Sequence, residues 1–120
     1  MKAKRTLLVI LVAAGMLSFT NGCQKYNTVP VTIDFVLSNG SDLDTHMWIS
    51  GESIGAGNKV SPGSTRSLTE TFQVERSGTE ITVSVGRNGQ QIGFGKTIIN
   101  QTTTAVTAFW DGTYLAVTAN

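Results

Sequence analysis

His46 is the only histidine in the chain, and it is the first residue to consider for catalytic chemistry. It lies two residues after Asp44 on the same face of a predicted strand, and serines are plentiful, so the residue types of a Ser-His-Asp triad are present. No Gly-x-Ser-x-Gly nucleophile elbow occurs, and a half-exposed strand residue beside Trp48 is the simpler interpretation. We therefore expect no catalytic residues and no enzyme activity, and keep a triad around His46 as the alternative.

Asp42 and Asp44 offer the most plausible metal chemistry. They flank Leu43 in a predicted loop and could supply two oxygen ligands to calcium. A calcium ion takes six to eight oxygens, and the chain contains no EF-hand pattern. We expect solvated acids here, with no metal and no cofactor.

Three closely spaced glycines, Gly89, Gly93 and Gly95, invite a nucleotide-binding interpretation. They lie in and after a predicted hairpin rather than between a strand and a helix, so no helix N-terminus is available to hold a phosphate. Gly93 and Gly95 alternate with larger residues, so the outward face of this strand should lack side chains. A strand, loop or aromatic ring could then pack closely against it.

The N-terminus has the order of a secretory signal peptide. Lys2, Lys4 and Arg5 precede an apolar run over Leu7–Phe19, which is shorter than the roughly 20 residues that a membrane-spanning helix needs. The pattern predicts that residues 1–22 are a cleaved signal peptide.

Cys23 is the only cysteine, so an intramolecular disulfide is impossible. The segment Leu17–Cys23, with Gly22 before the cysteine, resembles the lipobox of bacterial lipoproteins. Thr20 in place of the usual Leu makes it similar to the looser lipoboxes of Bacteroidota. The resemblance implies that Cys23 is acylated, with palmitate among its lipids, and holds the protein on a membrane. The alternative is a secreted protein with a free thiol at Cys23.

The residues after the cysteine form a short tether, Cys23–Val29, that keeps the domain near the membrane. An Asp directly after the cysteine would resemble the inner-membrane retention signal of enterobacterial lipoproteins. This chain has Gln24 at that position, which implies the outer membrane. Periplasmic and surface exposure both stay open.

Charge excludes one class of partner. Removing Lys2, Lys4 and Arg5 leaves six basic residues against eight acidic ones, and the remaining basic residues are scattered singly. Nucleic-acid binding normally requires a basic patch, so we expect no nucleic-acid partner.

The remainder of the chain is predicted to be all strands, because β-branched and aromatic residues alternate with polar ones. The first strand should bury one face: Val29, Val31, Ile33, Phe35 and Leu37. A strand over Thr45–Ser50 is followed by a long connection, Gly51–Thr65, with a short edge strand at Lys59-Val60. A further strand covers Ser67–Val74, and its inward-facing Glu70 must reach solvent at a sheet edge or a bulge.

Asn88-Gly89 predicts a two-residue hairpin turn, because both positions need positive φ. The expected cross-strand pairs are Arg87 with Gln90, Val85 with Ile92, Val83 with Phe94 and Ile81 with Lys96.

Asp111-Gly112 predicts a second such turn. The expected inward pairs are Trp110 with Thr113, Ala108 with Leu115 and Val106 with Val117. Phe109 and Tyr114 should then lie side by side on the outer face. Aromatic residues are enriched in interface hot spots, so these two are the candidate binding residues.

About seven short strands predict a single antiparallel β-sandwich over residues 30–120. The segment Val60–Thr65, with its Pro62-Gly63 turn, resembles the turn before a strand in bacterial immunoglobulin-like and transthyretin-like domains.

The sequence favours a non-catalytic binding or structural module whose partner is another envelope protein or a glycan. A small periplasmic inhibitor of a hydrolase, such as lysozyme or a protease, is the alternative, with Gly51–Thr65 as its inhibitory loop. An enzyme ranks third.

Overall fold

The computed structural model describes residues 28–120 of the chain. The predicted signal peptide, Cys23 and most of the tether lie outside the described residues. The eight strands are β1 (Thr28–Asn39), β2 (Thr45–Ile49), β3 (Lys59–Val60), β4 (Thr65–Glu75), β5 (Thr79–Arg87), β6 (Gln90–Ile99), β7 (Ala105–Trp110) and β8 (Leu115–Ala119). A 3-10 turn, Ala56–Asn58, precedes β3. Within residues 28–120, no helix has the length and apolar character needed to cross a membrane.

The strands form two packed four-stranded sheets, which confirms the predicted β-sandwich. Sheet A has the order β4-β1-β7-β8, and sheet B has the order β3-β2-β5-β6. One pairing departs from the antiparallel expectation: β1 and β7 run parallel, from Asp34 opposite Ala105 to Asn39 opposite Trp110. The chain passes through β2 and β3 in sheet B, β4 in sheet A, and β5 and β6 before it returns beside β1, so β7 can take the direction of β1.

The strand β1 shows how alternation builds the core. Val31, Ile33, Phe35 and Leu37 are buried between the sheets, while the residues between them face outward. Val29, which the alternation predicts on the buried face, is exposed because it lies at the start of the strand. β1 also covers Thr28 and Val29, which the sequence pattern assigns to the tether.

The core is a single cluster that both sheets contribute to. Besides the β1 residues, its buried members are Met47, Ile49, Val60, Val74, Ile81, Val83, Val85, Ile99, Val106, Ala108 and Trp110. The rings of Phe35 and Phe72 meet edge to face with their centroids 5.9 Å apart. Glu70 is exposed on β4, which is an edge strand, so of the two predicted alternatives the edge is the one that occurs.

An ion pair joins the two sheets on the β3 and β4 side of the sandwich. Arg66 on β4 donates to both carboxylate oxygens of Glu52, at 2.9 and 2.6 Å, and to the carbonyl of Met47 at 3.0 Å. Glu52 also accepts the backbone N–H of Ile49 at 3.0 Å. The hydrogen bonds to Arg66, and then the one to Ile49, lower the pKa of Glu52, although partial burial opposes them.

The first hairpin has the predicted turn but not the predicted register. Asn88 and Gly89 both have positive φ, at 55° and 78°, and Arg87 pairs with Gln90. A β-bulge between Val85 and Gly86 then moves the pairing by one residue, so Val85 pairs with Gly93 and Val83 with Gly95. The predicted pairs of Val85 with Ile92, Val83 with Phe94 and Ile81 with Lys96 are therefore wrong.

The shift reverses the faces of β6. Phe94 is outward and 55% exposed, and Ile92 is also exposed. Gly93 and Gly95 face the other sheet: a Cβ at Gly93 would lie 2.9 Å from the Trp110 ring, and one at Gly95 would lie 2.7 Å from Val117. The sequence predicts close packing of a ring or a strand against these glycines on the outer face. The packing occurs on the inner face instead.

The second hairpin reverses direction at the predicted place through a longer loop. Trp110 pairs with Leu115 and Ala108 with Val117, so residues 111–114 form a four-residue connection. The predicted pairing is wrong by two residues. A two-residue shift leaves every side chain on its original face. Val106, Ala108 and Trp110 accordingly lie in the core, as expected.

Candidate binding surface

Four connections lie together at the end of the sandwich that is farthest from Thr28. β1 runs 12 residues from Thr28 to Asn39, about 36 Å at roughly 3.3 Å per residue. Asn39 lies opposite Trp110 at the end of β7, and Ser38 lies opposite Thr65 at the start of β4. We call residues 40–44, 61–64, 88–89 and 111–114 the distal end.

The buried side chain of Asn39 shapes the loop 40–44. Its amide nitrogen donates to the carbonyl oxygens of Leu43 and Val60, at 2.8 and 2.9 Å. Its oxygen accepts the backbone N–H of Ser41 at 2.9 Å and the Ser41 hydroxyl at 2.6 Å. With the amide of Asn39 satisfied by the loop, the backbone of this segment is held in one conformation.

Asp111 shapes the turn at residues 111–114 in a similar way. Its carboxylate accepts the backbone N–H groups of Tyr114 and Thr113, each at 2.7 Å. These two hydrogen bonds, that of Tyr114 first, lower the pKa of Asp111 because they favour its charged form. Gly112 completes the turn with a φ of 101°.

The two candidate binding residues, Phe109 and Tyr114, are both at this end of sheet A. Phe109 is 50% exposed and Tyr114 is 76% exposed, so their outward orientation matches the prediction. They are not cross-strand partners, because Phe109 lies opposite Ala116 and Tyr114 belongs to the turn. The Phe109 ring covers Gly40, where any Cβ would overlap it. The ring is therefore fixed against the loop 40–44.

A pocket of about 270 Å³ opens beside this surface. Its lining residues are Gly40, Ser41, Asp42, Leu43, Arg87, Asp111 and Gly112. Sequence reasoning did not select Arg87. Its position directly before Asn88-Gly89 was the available signal, since that turn brings the end of β5 to the distal end.

A second pocket, of about 480 Å³, lies on the other side of Arg87. Its lining residues are Asp44, His46, Gly55, Lys59, Arg87 and Asn88. His46 and a carboxylate share this pocket, but Asp44 pairs with Lys59 at 3.3 Å, and no hydroxyl side chain is among the described lining residues.

The aspartates considered for calcium are divided between the two pockets. Asp42 lines the smaller pocket and Asp44 lines the larger one. Within residues 28–120, no group of three or more His, Cys, Asp or Glu side chains is placed to hold a metal ion.

The long connection 51–65 lies against the sandwich. Asn58 is buried, donates to the carbonyl of Ser53 at 2.8 Å and accepts the backbone N–H of Gly55 at 3.2 Å. Val60 is in the core. The Gly63 N–H donates to the carbonyl of Asn39 at 2.8 Å. This segment is tied to the domain at several points along its length.

Sheet B carries an exposed apolar face that sequence reasoning missed. Phe94, Ile92 and Ile98 are exposed on β6 as a result of the bulge. Trp48 on β2 lies over Gly86, where a Cβ would be 2.9 Å from its ring. The alternation of β6 does not reveal where a bulge falls, so its sequence predicts the opposite face.

Comparisons with protein-family models, with curated proteins and with solved structures found no match to this chain.

Proposed function

We propose that the protein is a lipid-anchored binding module of the bacterial cell envelope, without catalytic activity, that holds its partner at the distal end. The observation that carries the proposal is the exposure of Phe109 and Tyr114 at the end opposite Thr28. Thr28 follows Cys23 by five residues. A lipid on Cys23 would therefore hold the base of the sandwich at the membrane and direct the two rings away from it.

The anchor rests on the signal peptide over residues 1–22 and on the lipobox-like segment that ends at Cys23. The outer membrane is the proposed location, because Gln24 does not resemble a retention signal. We propose another envelope protein or a glycan as the partner.

The distal end has the properties of a prearranged contact surface. Aromatic rings provide large apolar area with a polar tip in Tyr114, and such residues dominate interface energetics. Asn39 and Asp111 fix the loops around them through hydrogen bonds. Binding to a surface that is already ordered loses less conformational entropy.

The strand order favours one of the two resemblances suggested by the Pro62-Gly63 turn. In an immunoglobulin constant domain the first two strands belong to the same sheet. Here β1 and β2 belong to different sheets. We therefore propose the transthyretin-like alternative as the closer one.

A hydrolase inhibitor has less support. An inhibitor of that kind inserts an exposed loop into a cleft, and its candidate segment, Gly51–Thr65, is held against the domain by Asn58 and Val60.

The anchor is tested by Cys23→Ser. We expect this variant to lose incorporation of labelled palmitate and to leave the membrane fraction, because the thiol carries the lipid. A parent protein that takes up no palmitate, together with a variant that fractionates like the parent, would refute the anchor.

The binding surface is tested by the double variant Phe109→Ala and Tyr114→Ala. Partners are crosslinked in intact envelopes and co-purified with the parent or variant protein. We expect the double variant to lose the main crosslinked partner while keeping its unfolding midpoint, because both rings are exposed.

Phe94→Ala is the matched control, since it removes a ring of similar exposure from the other sheet. Retention of the partner by the double variant, or equal loss in the control, would contradict a contact at Phe109 and Tyr114.

A further inference from the structure

We propose that the larger pocket, which we call the Arg87 pocket, binds a small molecule through a carboxylate group. Asp44 and Asn88 of this pocket belong to the distal end, but its lining residues do not include Phe109 or Tyr114, so the pocket is distinct from the proposed aromatic contact. The inference does not depend on the proposed function.

Arg87 is positioned by the Asn88-Gly89 turn of sheet B. It is the last residue of β5 and pairs with Gln90 across the Asn88-Gly89 turn. Its backbone is therefore fixed, and its half-buried side chain lines both pockets.

The guanidinium of Arg87 has neither an ion-pair partner nor a hydrogen-bond partner for its Nε among residues 28–120. None of the ion pairs among residues 28–120 includes Arg87, although Asp42, Asp44 and Asp111 line the same two pockets. Its Nε is buried without a hydrogen-bond partner. A buried donor without a partner is uncommon in folded proteins, and it favours the binding of an acceptor group at that place. The exposed part of the fork is available to a ligand in the pocket.

Charge determines which ligand suits the Arg87 pocket. Among the described lining residues, Lys59 and Arg87 are the lysine and arginine cations and Asp44 is the one acid, so these three groups together carry an excess of one positive charge. Asp44 is already paired with Lys59 at 3.3 Å. The unpaired positive charge is therefore that of Arg87.

A carboxylate satisfies this site better than a phosphate does. It is planar and carries one negative charge, which matches the fork geometry and the single charge of a guanidinium. A phosphate monoester carries about 1.5 to 2 negative charges at neutral pH, and it would also face Asp44 and, across Arg87, Asp42 and Asp111.

The pocket is large enough for more than the carboxylate. Its volume, about 480 Å³, lies within the range of small-molecule sites. Asn88 and His46 supply polar groups for the rest of the ligand. A sugar acid and a peptide C-terminus share the required carboxylate, and the experiment separates these two sources.

The test is isothermal titration calorimetry on the full chain, purified in a mild detergent. The probes are glucuronate, glucose, glucose 6-phosphate and N-acetylalanine. We expect glucuronate or N-acetylalanine to bind, which identifies the sugar acid or the peptide terminus as the source, and glucose not to bind. Arg87→Gln should weaken the binding by about tenfold or more, as expected for a charged hydrogen bond.

Two controls keep the result interpretable. Lys96→Gln removes a cation whose partner is Glu80 on the outer face of sheet B, and it should leave the affinity unchanged. The double variant at Phe109 and Tyr114 should also bind normally, which separates this site from the partner surface. Amide shifts of Gly55 and Asn88 in the labelled parent protein should move during the titration, whether or not Arg87→Gln folds.

The proposal is overturned if neither carboxylate binds at its highest soluble concentration. It is also overturned if glucose 6-phosphate binds as tightly as glucuronate, or if the shift changes fall outside the lining of the Arg87 pocket.

Discussion

The two hairpins of this domain begin from the same type of sequence signal and reach different structures. Asn88-Gly89 forms a two-residue turn in which both residues have positive φ. Asp111-Gly112 forms the first half of a four-residue loop, in which only Gly112 has positive φ. The Asp111 carboxylate accepts two backbone N–H groups and so stabilises the longer loop.

The difference shows that a turn dipeptide locates a chain reversal but does not determine the register of the strands that it joins. In the first hairpin the bulge at Val85 and Gly86 shifts the register by one residue, and this reverses both faces of β6 beyond it. In the second hairpin the shift is two residues, and the faces are unchanged. An even error in register preserves the core, whereas an odd error exchanges the core and the surface.

The largest effect that we expect is on the reversed face of β6. Gly95→Val places a side chain where a Cβ would lie 2.7 Å from Val117 and 3.0 Å from the carbonyl oxygen of Leu115. The backbone of β8 would have to move, so the free energy of unfolding should fall by about 3 kcal/mol, as measured by denaturant titration.

Gly57→Ala is the control, because a Cβ there meets no atom within 4 Å. It should change the free energy of unfolding by less than about 0.5 kcal/mol. Unchanged or increased stability of Gly95→Val would mean that β6 presents its glycines on its outward face, as the sequence pattern predicts.

Part of the fold could be predicted from the alternation of apolar and polar residues and from the turn residues. The buried face of β1, the edge position of β4 and the short strand Lys59–Val60 all follow from local residue types. The bulge could not be predicted from the alternation of β6, and it places Gly93 where a Cβ would lie 2.9 Å from the Trp110 ring of the other sheet. That is a tertiary contact without a local signal.

The candidate site also has a part that could be predicted from the sequence and a part that could not. Phe109 could be placed on the surface from the face of β7 on which it lies, whereas Tyr114, which was also expected on the surface, is exposed as part of the loop 111–114. Arg87 could not be selected, because the pockets beside it are formed by residues from distant parts of the sequence, such as Asp44 and Gly112.

A smaller effect is expected at the turn of the first hairpin. Replacing Asn88-Gly89 with Val-Val places β-branched residues at φ values of 55° and 78°. We expect a loss of about 1–3 kcal/mol in the free energy of unfolding, from strain that the present residues avoid. An unchanged unfolding midpoint would contradict this turn.

The smallest effect should come from the charge that supports the second hairpin. The N–H groups of Tyr114 and Thr113 lower the pKa of Asp111, so the charged form is favoured in the folded state. The resulting stabilisation is fully present above the unfolded pKa, whose ordinary value is 3.8, and is lost as the pH falls through the lower folded value.

Asp111→Asn keeps an oxygen acceptor and removes the charge. Its unfolding midpoint should lie slightly below that of the parent at neutral pH, and the difference should shrink as the pH falls below 3.8. Asp42→Asn is the matched control at the distal end, because Asp42 is an exposed aspartate that lines the same pocket as Asp111. A pH-independent difference for Asp111→Asn would mean that the shape of the side chain stabilises the loop, and that its charge does not.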